Sequence, residues 1–81
     1  MQQVTLNVTG PVPHTVTAHV GEMVSFSNPT NAPVTAKTID GIWSIGPIPP
    51  GEVRDAHFQR AATYHYLTDQ HPPHTGSVVV T

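Results

Sequence analysis

Apolar and polar residues alternate along Val4-Thr5-Leu6-Asn7-Val8, which predicts a strand with one buried face. Gly10-Pro11-Val12-Pro13 breaks that pattern. Val16, Ala18 and Val20 then share a face, opposite Thr15, Thr17 and His19, and predict a second strand. A tight turn at Gly21-Glu22 leads into a third, Met23 to Ser27, centred on Val24 and Phe26. Asn28 to Pro33 is a loop by composition, and Val34 to Ile39 reads as a weaker strand closed by Asp40-Gly41. From Gly41 to Gly51 the chain is rich in Gly and Pro but holds Ile42, Trp43, Ile45 and Ile48, so it reads as an excursion that packs its apolar residues. Glu52 to Gln59, the run from Tyr64 to Thr68, and Ser77 to Thr81 complete the set. About seven short strands with frequent turn signals and no helix predict an all-β fold, an antiparallel Greek-key β-sandwich or barrel.

Composition narrows the field. At 81 residues the chain is long enough for one domain, residues 1–81, near the lower limit of what folds alone. It holds no cysteine, so there is no disulfide and no thiolate nucleophile or metal ligand. With three Lys and Arg against five Asp and Glu, no basic patch recommends nucleic acid. No apolar run approaches the roughly 20 residues of a membrane span. Met1-Gln2-Gln3 lacks the charged and apolar regions of a signal peptide. No nucleophile, base and acid fall in a recognisable arrangement and there is no Gly-rich phosphate loop, so the chain does not read as an enzyme.

Candidate chemistry gathers in one stretch, Tyr64 to Gly76. Tyr64, Tyr66 and Thr68 share one strand face and His65 and Leu67 the other. Beyond them, His71 and His74 bracket two prolines in a loop before the last strand. His65, His57 and His19 are expected to face solvent or to pair across strands. The tyrosines, Phe26 and Trp43 are expected in the core, or in the case of a tyrosine at a Greek-key corner tied through its hydroxyl.

Several runs together resemble the cupredoxins, the small blue-copper electron carriers. Val-Gly-Glu-Met-Val-Ser-Phe-Ser-Asn, Val20 to Asn28, is similar to their Gly-Asp/Glu-x-Val-x-Phe-x-Asn strand. Ile48-Pro49-Pro50-Gly51-Glu52 resembles their Pro-Gly-Glu turn, and Ala62-Thr63-Tyr64-His65-Tyr66 their Gly-Thr-Tyr-x-Tyr. His71-Pro72-Pro73-His74-Thr75-Gly76 is similar to His-Pro-x-Met-x-Gly. The resemblance spans nearly the whole chain and implies a cupredoxin-like sandwich, in a family that works mostly in the periplasm or outside the cell. It also implies where copper ligands would fall. The first His lands at about Val34, the Cys on Thr68, the second His on His71 and the Met on His74. One of the four is retained. Blue copper chemistry depends on a copper–thiolate bond, which a threonine hydroxyl does not replace, so a type 1 centre is rejected.

The same placement implies that His71 and His74 converge, which makes them the candidate ligands of a two-His site. Copper(II), zinc(II) or nickel(II) suits such a pair, with Thr68, Asp69 or His14 as candidate third ligands. Asp69 is expected to point away from Thr68. The competing reading is metal-free: His71 hydrogen-bonds to Asn28 or Asn31, and the sandwich serves as a structural or protein-interaction module of unspecified partner. A ligand-replaced variant of a copper protein fits the missing cysteine as well.

Overall fold

The computed structural model describes residues 2–70 and 73–81. Among the described residues nine strands form two sheets: β1 (Gln2–Asn7), β2 (Gly10–Val12), β3 (Thr15–Ala18), β4 (Met23–Ser27), β5 (Val34–Thr38), β6 (Ser44–Ile48), β7 (Val53–His57), β8 (Ala62–Thr68) and β9 (Thr75–Val80). One sheet runs β2-β1-β4-β7 and the other β3-β9-β8-β5-β6. Among the described residues there is no helix, and none long and apolar enough to cross a membrane. The all-β Greek-key expectation is met, with two differences.

First, two strands exceed the expected number, and both arise in Gly- and Pro-rich stretches. Gly10-Pro11-Val12 turns back to pair antiparallel with β1, Leu6 opposite Pro11. As an edge strand it tolerates the missing proline N–H. Ser44–Ile48 pairs with β5 across an irregular register between Val34 and Ala36. Gly46 makes that bulge possible: at its φ of +115° a Cβ would come within 2.8 Å of the Val34 carbonyl oxygen. Second, the sheets are not wholly antiparallel, since β1 runs parallel to β4 and β3 parallel to β9.

The core follows the predicted alternation. Val4 and Leu6, Val24 and Phe26, Ala36, Tyr66, and Val78 and Val80 turn inward between the sheets. Each such large side chain contributes about 1.5–3 kcal/mol by leaving water. Every aromatic ring joins one chain of contacts. Tyr66 meets Phe26 edge-on at 5.8 Å, Phe26 meets Trp43 at 5.5 Å, Trp43 meets Phe58 at 5.0 Å, and Phe58 meets Tyr64 at 4.8 Å. The Tyr64 hydroxyl donates to the Arg60 carbonyl at 2.9 Å, the expected tyrosine corner. Tyr66 lies over Gly76, its partner on β9, where a Cβ would come within 2.4 Å of the ring.

The stretch 41–51 packs only in part. Ile48 is fully buried and Trp43 and Ile45 partly so, but Ile42 is 75% exposed. Its exposure follows from the hairpin lock beside it: Trp43 N–H donates to the Thr38 hydroxyl at 2.8 Å, and that hydroxyl donates to the Trp43 carbonyl at 2.9 Å. Trp43 is thereby turned into the core and the preceding residue outward.

Candidate functional site

Strand direction decides what meets at each end of the sandwich. β8 runs from Tyr64 to Thr68 and β5 runs against it, Ala36 opposite Thr68, so Val34 and the loop before it reach the Thr68 end. The β1–β2 turn reaches the same end, because the Val8 carbonyl contacts His74. This end therefore gathers Thr68, Asp69 and Gln70, the segment 73–76, the β1–β2 turn and the loop 28–33.

Asn28 organises the last of these. It is fully buried at the exit of β4. Its side-chain amide donates to the Ala32 carbonyl at 2.7 Å and the Ile48 carbonyl at 2.8 Å. Its side-chain oxygen accepts from both the backbone N–H and the hydroxyl of Thr30. The Gly51 N–H donates to its backbone carbonyl at 2.7 Å, so the strand motif ending in Asn28 and the Pro-Gly-Glu turn are one unit. Among the described residues these partners use both donors and both lone pairs of the Asn28 amide.

Thr68 is buried, with 2% exposure, on the core face of β8. Its hydroxyl donates to Gln70 Oε1 at 2.9 Å and accepts the His74 backbone N–H at 3.1 Å. Its own N–H donates to the His74 carbonyl at 2.8 Å. Gln70 Nε2 passes the connection on to the Asn7 carbonyl at 2.9 Å. A hydrogen-bonded circuit thus joins β8, the approach to β9 and the end of β1.

His74 is half-buried, and its Nε2 lies 2.9 Å from the Val8 carbonyl oxygen. A carbonyl only accepts, so Nε2 carries the hydrogen and the neutral ring keeps its lone pair on Nδ1. Gly10 lies beside the ring, where an added Cβ would make ordinary van der Waals contact with it at 3.6 Å. His71 lies outside the described residues.

The remaining candidates are held elsewhere. Asp69 is exposed and is held to β5, its Oδ1 accepting the Thr35 N–H at 2.9 Å. His14 is exposed, with Nδ1 3.2 Å from the Thr15 hydroxyl, and its carbonyl accepts the Ser77 N–H. Val34, at the position of the first family ligand, is buried at 2% exposure. Among the described residues no group of three or more His, Asp or Glu could hold a metal ion. The other histidines are exposed as expected. His65 Nδ1 pairs across the sheet with the Ser77 hydroxyl at 2.9 Å, and His19 Nδ1 lies 3.2 Å from the Thr81 hydroxyl.

These residues do not fit a type 1 copper centre. The thiolate position holds a hydroxyl whose hydrogen is committed to Gln70, and the first imidazole position holds a buried valine. Gln70 and the Val8 carbonyl are the parts that sequence reading missed. Extending the alternation of Tyr64, Tyr66 and Thr68 by two residues would have placed Gln70 on the same face. No residue-type signal marks a carbonyl.

No protein-family model and no curated protein sequence matches the chain significantly. Solved structures do. The chain is similar to a purple cupredoxin from Nitrosopumilus maritimus, at 23% identity over 100% of both chains with a TM-score of 0.85. An oxidised variant of amicyanin matches at 24% identity, over 99% of this chain and 81% of that one, with a TM-score of 0.84. A copper-containing nitrite reductase from Thermus scotoductus matches at 20% identity and a TM-score of 0.86, over 99% of this chain but 22% of the enzyme. Two facing sheets, the Asn28-centred loop and full-length superposition on these structures establish that the chain has the cupredoxin fold.

Proposed function

We propose that this chain is a metal-binding protein of cupredoxin fold that takes copper(II), or less tightly zinc(II), through His71 and His74 on the loop before β9. The observation that carries the reading is the orientation of His74. A metal-ligating imidazole characteristically donates its second N–H to a carbonyl or carboxylate, which fixes the tautomer and aims the other nitrogen. His74 does this toward Val8 through Nε2, which leaves the lone pair of the neutral ring on Nδ1. His71 stands three positions earlier on the same short loop. Two imidazole nitrogens completed by water suit copper(II) best among first-row divalent ions. With no thiolate in the chain, the bound ion lacks blue-copper absorption and fast electron exchange. The reading is of a binding protein rather than an enzyme, since no acid–base pair accompanies the histidines.

Titration of the apo protein with copper(II), followed by EPR and thermal unfolding, tests it. The expected result is a nitrogen-coordinated copper signal without an intense blue band. At a hundredfold excess of metal over Kd, stability should rise by about 2.7 kcal/mol. His74→Ala and His71→Ala should each lose most of that gain. Equal stabilisation of wild type and both variants would overturn the assignment.

The Thr68–Gln70–Asn7 circuit favours a second reading, a metal-free scaffold. It supplies internally the cross-links that a metal would otherwise provide at this end. An unchanged melting temperature in the same titration supports that reading instead.

A further inference from the structure

We infer that the groove beside the β5–β6 hairpin binds an acidic peptide segment of a partner protein, one that sets a carboxylate next to a bulky apolar side chain. The groove shares no residue with the His74 end of the sandwich, so the inference does not depend on a metal. Its lining includes Ile42 and Trp43 on the hairpin and His57, Phe58, Arg60 and Tyr64 opposite, around about 230 Å³. Both walls are fixed by hydrogen bonds. Besides the Thr38–Trp43 lock, the Asp40 carboxylate accepts the Ile42 N–H at 3.1 Å. On the other wall the Tyr64 hydroxyl holds the Arg60 carbonyl at 2.9 Å. Fixed walls lower the ordering cost of binding. The exposed Arg60 guanidinium, by contrast, has no ion pair or hydrogen bond among the described residues.

Charge selects the partner. The chain carries a net charge of −2, yet the one formal charge lining this groove is the Arg60 cation, and none of the five Asp and Glu lines it. Of the other two cations, Arg54 pairs with Glu52 at 3.9 Å, and Lys37 lies beside Gly41 on the same hairpin turn. Ile42 and Ile39, 75% and 71% exposed, are the most exposed large apolar side chains among the described residues, and both stand on that turn. An unpaired guanidinium beside exposed aliphatic side chains matches a carboxylate beside an apolar residue. Small-molecule pockets enclose roughly 300–1,000 Å³, so this smaller groove receives one or two side chains of a larger partner. Asp40, between the two isoleucines in sequence, would repel an anionic membrane surface, which favours protein over lipid.

Trp43 is the single tryptophan, so its fluorescence reports on the groove directly. The full chain is titrated with acetyl-Leu-Glu-Leu-Glu-amide, and with the same peptide carrying Gln or Lys in place of Glu. The expected result is a saturable change in Trp43 emission with the acidic peptide, about tenfold weaker binding of the Gln peptide and none of the Lys peptide. Added salt should weaken the acidic peptide alone. Arg60→Gln and Ile42→Ser should each weaken its binding by about tenfold while leaving the melting temperature nearly unchanged, since both side chains are exposed. Equal binding of the acidic and Gln peptides, or equal binding by wild type and Arg60→Gln, overturns the inference. So does the absence of binding at millimolar peptide. Emission that responds to phosphatidylglycerol vesicles or to the chain's own concentration, and not to the peptide, assigns the groove to lipid or to a second copy and overturns it as well.

Discussion

Tyr66 is fully buried, and among the described residues its hydroxyl has no hydrogen-bond partner. An unpaired buried hydroxyl costs about 1–3 kcal/mol relative to its hydration. The ring offsets this through the edge-on contact with Phe26 and the close fit over Gly76. Tyr66→Phe keeps the ring and removes the penalty. It is expected to be neutral or stabilising by about 1 kcal/mol in denaturant unfolding; a loss of that size would show a partner for the hydroxyl. Asn28 is the opposite case, since each of its side-chain hydrogens ends on a backbone carbonyl of a different segment. The asparagine of the strand motif is thus explained by carbonyls that need donors.

At the scale of elements, described residues on both sides of the β8–β9 connection tie it to the first strands. Thr68 and Gln70 stitch it to the end of β1, and the His74 ring reaches the β1–β2 turn. Gln70→Ala would strand both the Asn7 carbonyl and the Thr68 hydroxyl. The expected cost is about 1–3 kcal/mol, with faster amide exchange at residues 7–10 and 74–76 and little change in β4–β7. Uniform destabilisation without a local change would refute the stitching role. The same contacts make this end a single unit, so a ligand held by His74 would be felt by the first strands.

For the molecule as a whole, the dependence of stability on pH has two limbs. Burial raises the Tyr66 phenol well above its ordinary value. Its contribution is therefore fully present below the unfolded phenol pKa, near 10, and is lost as pH rises above it, at up to about 1.4 kcal/mol per unit. Tyr66→Phe should flatten this alkaline limb, a readout independent of its effect at neutral pH. On the acid side, the Ile42 N–H holds the Asp40 carboxyl below the usual range, and the His19 N–H does the same for Glu22. Depressed values place their contribution above the unfolded carboxyl pKa, and it fades as pH falls through the folded one. Unfolding free energy measured across pH should show a plateau between the limbs. An alkaline limb unchanged by Tyr66→Phe would assign it to another group.

Alternation of apolar residues was enough to determine the strands built on Val4 and Leu6, on Val24 and Phe26, and on Tyr64 and Tyr66. Side chains on a pleated strand have a period of two, and one face must leave water. The absence of cysteine likewise excluded a thiolate centre from residue type alone. Tertiary structure decided the rest. β2 and β6 are made by pairing with β1 and β5, not by their own patterns, so Gly10-Pro11-Val12 and the stretch around Gly46 read locally as breaks. The partners of Thr68 and His74 are the Gln70 amide and the Val8 carbonyl, and the His74–Val8 bond closes 66 positions apart in sequence. That bond also selects which nitrogen of the neutral imidazole keeps its lone pair. Backbone carbonyls carry no residue identity, so their placement, and with it the orientation of His74, follows from how the two sheets bring the ends of β1 and β8 together.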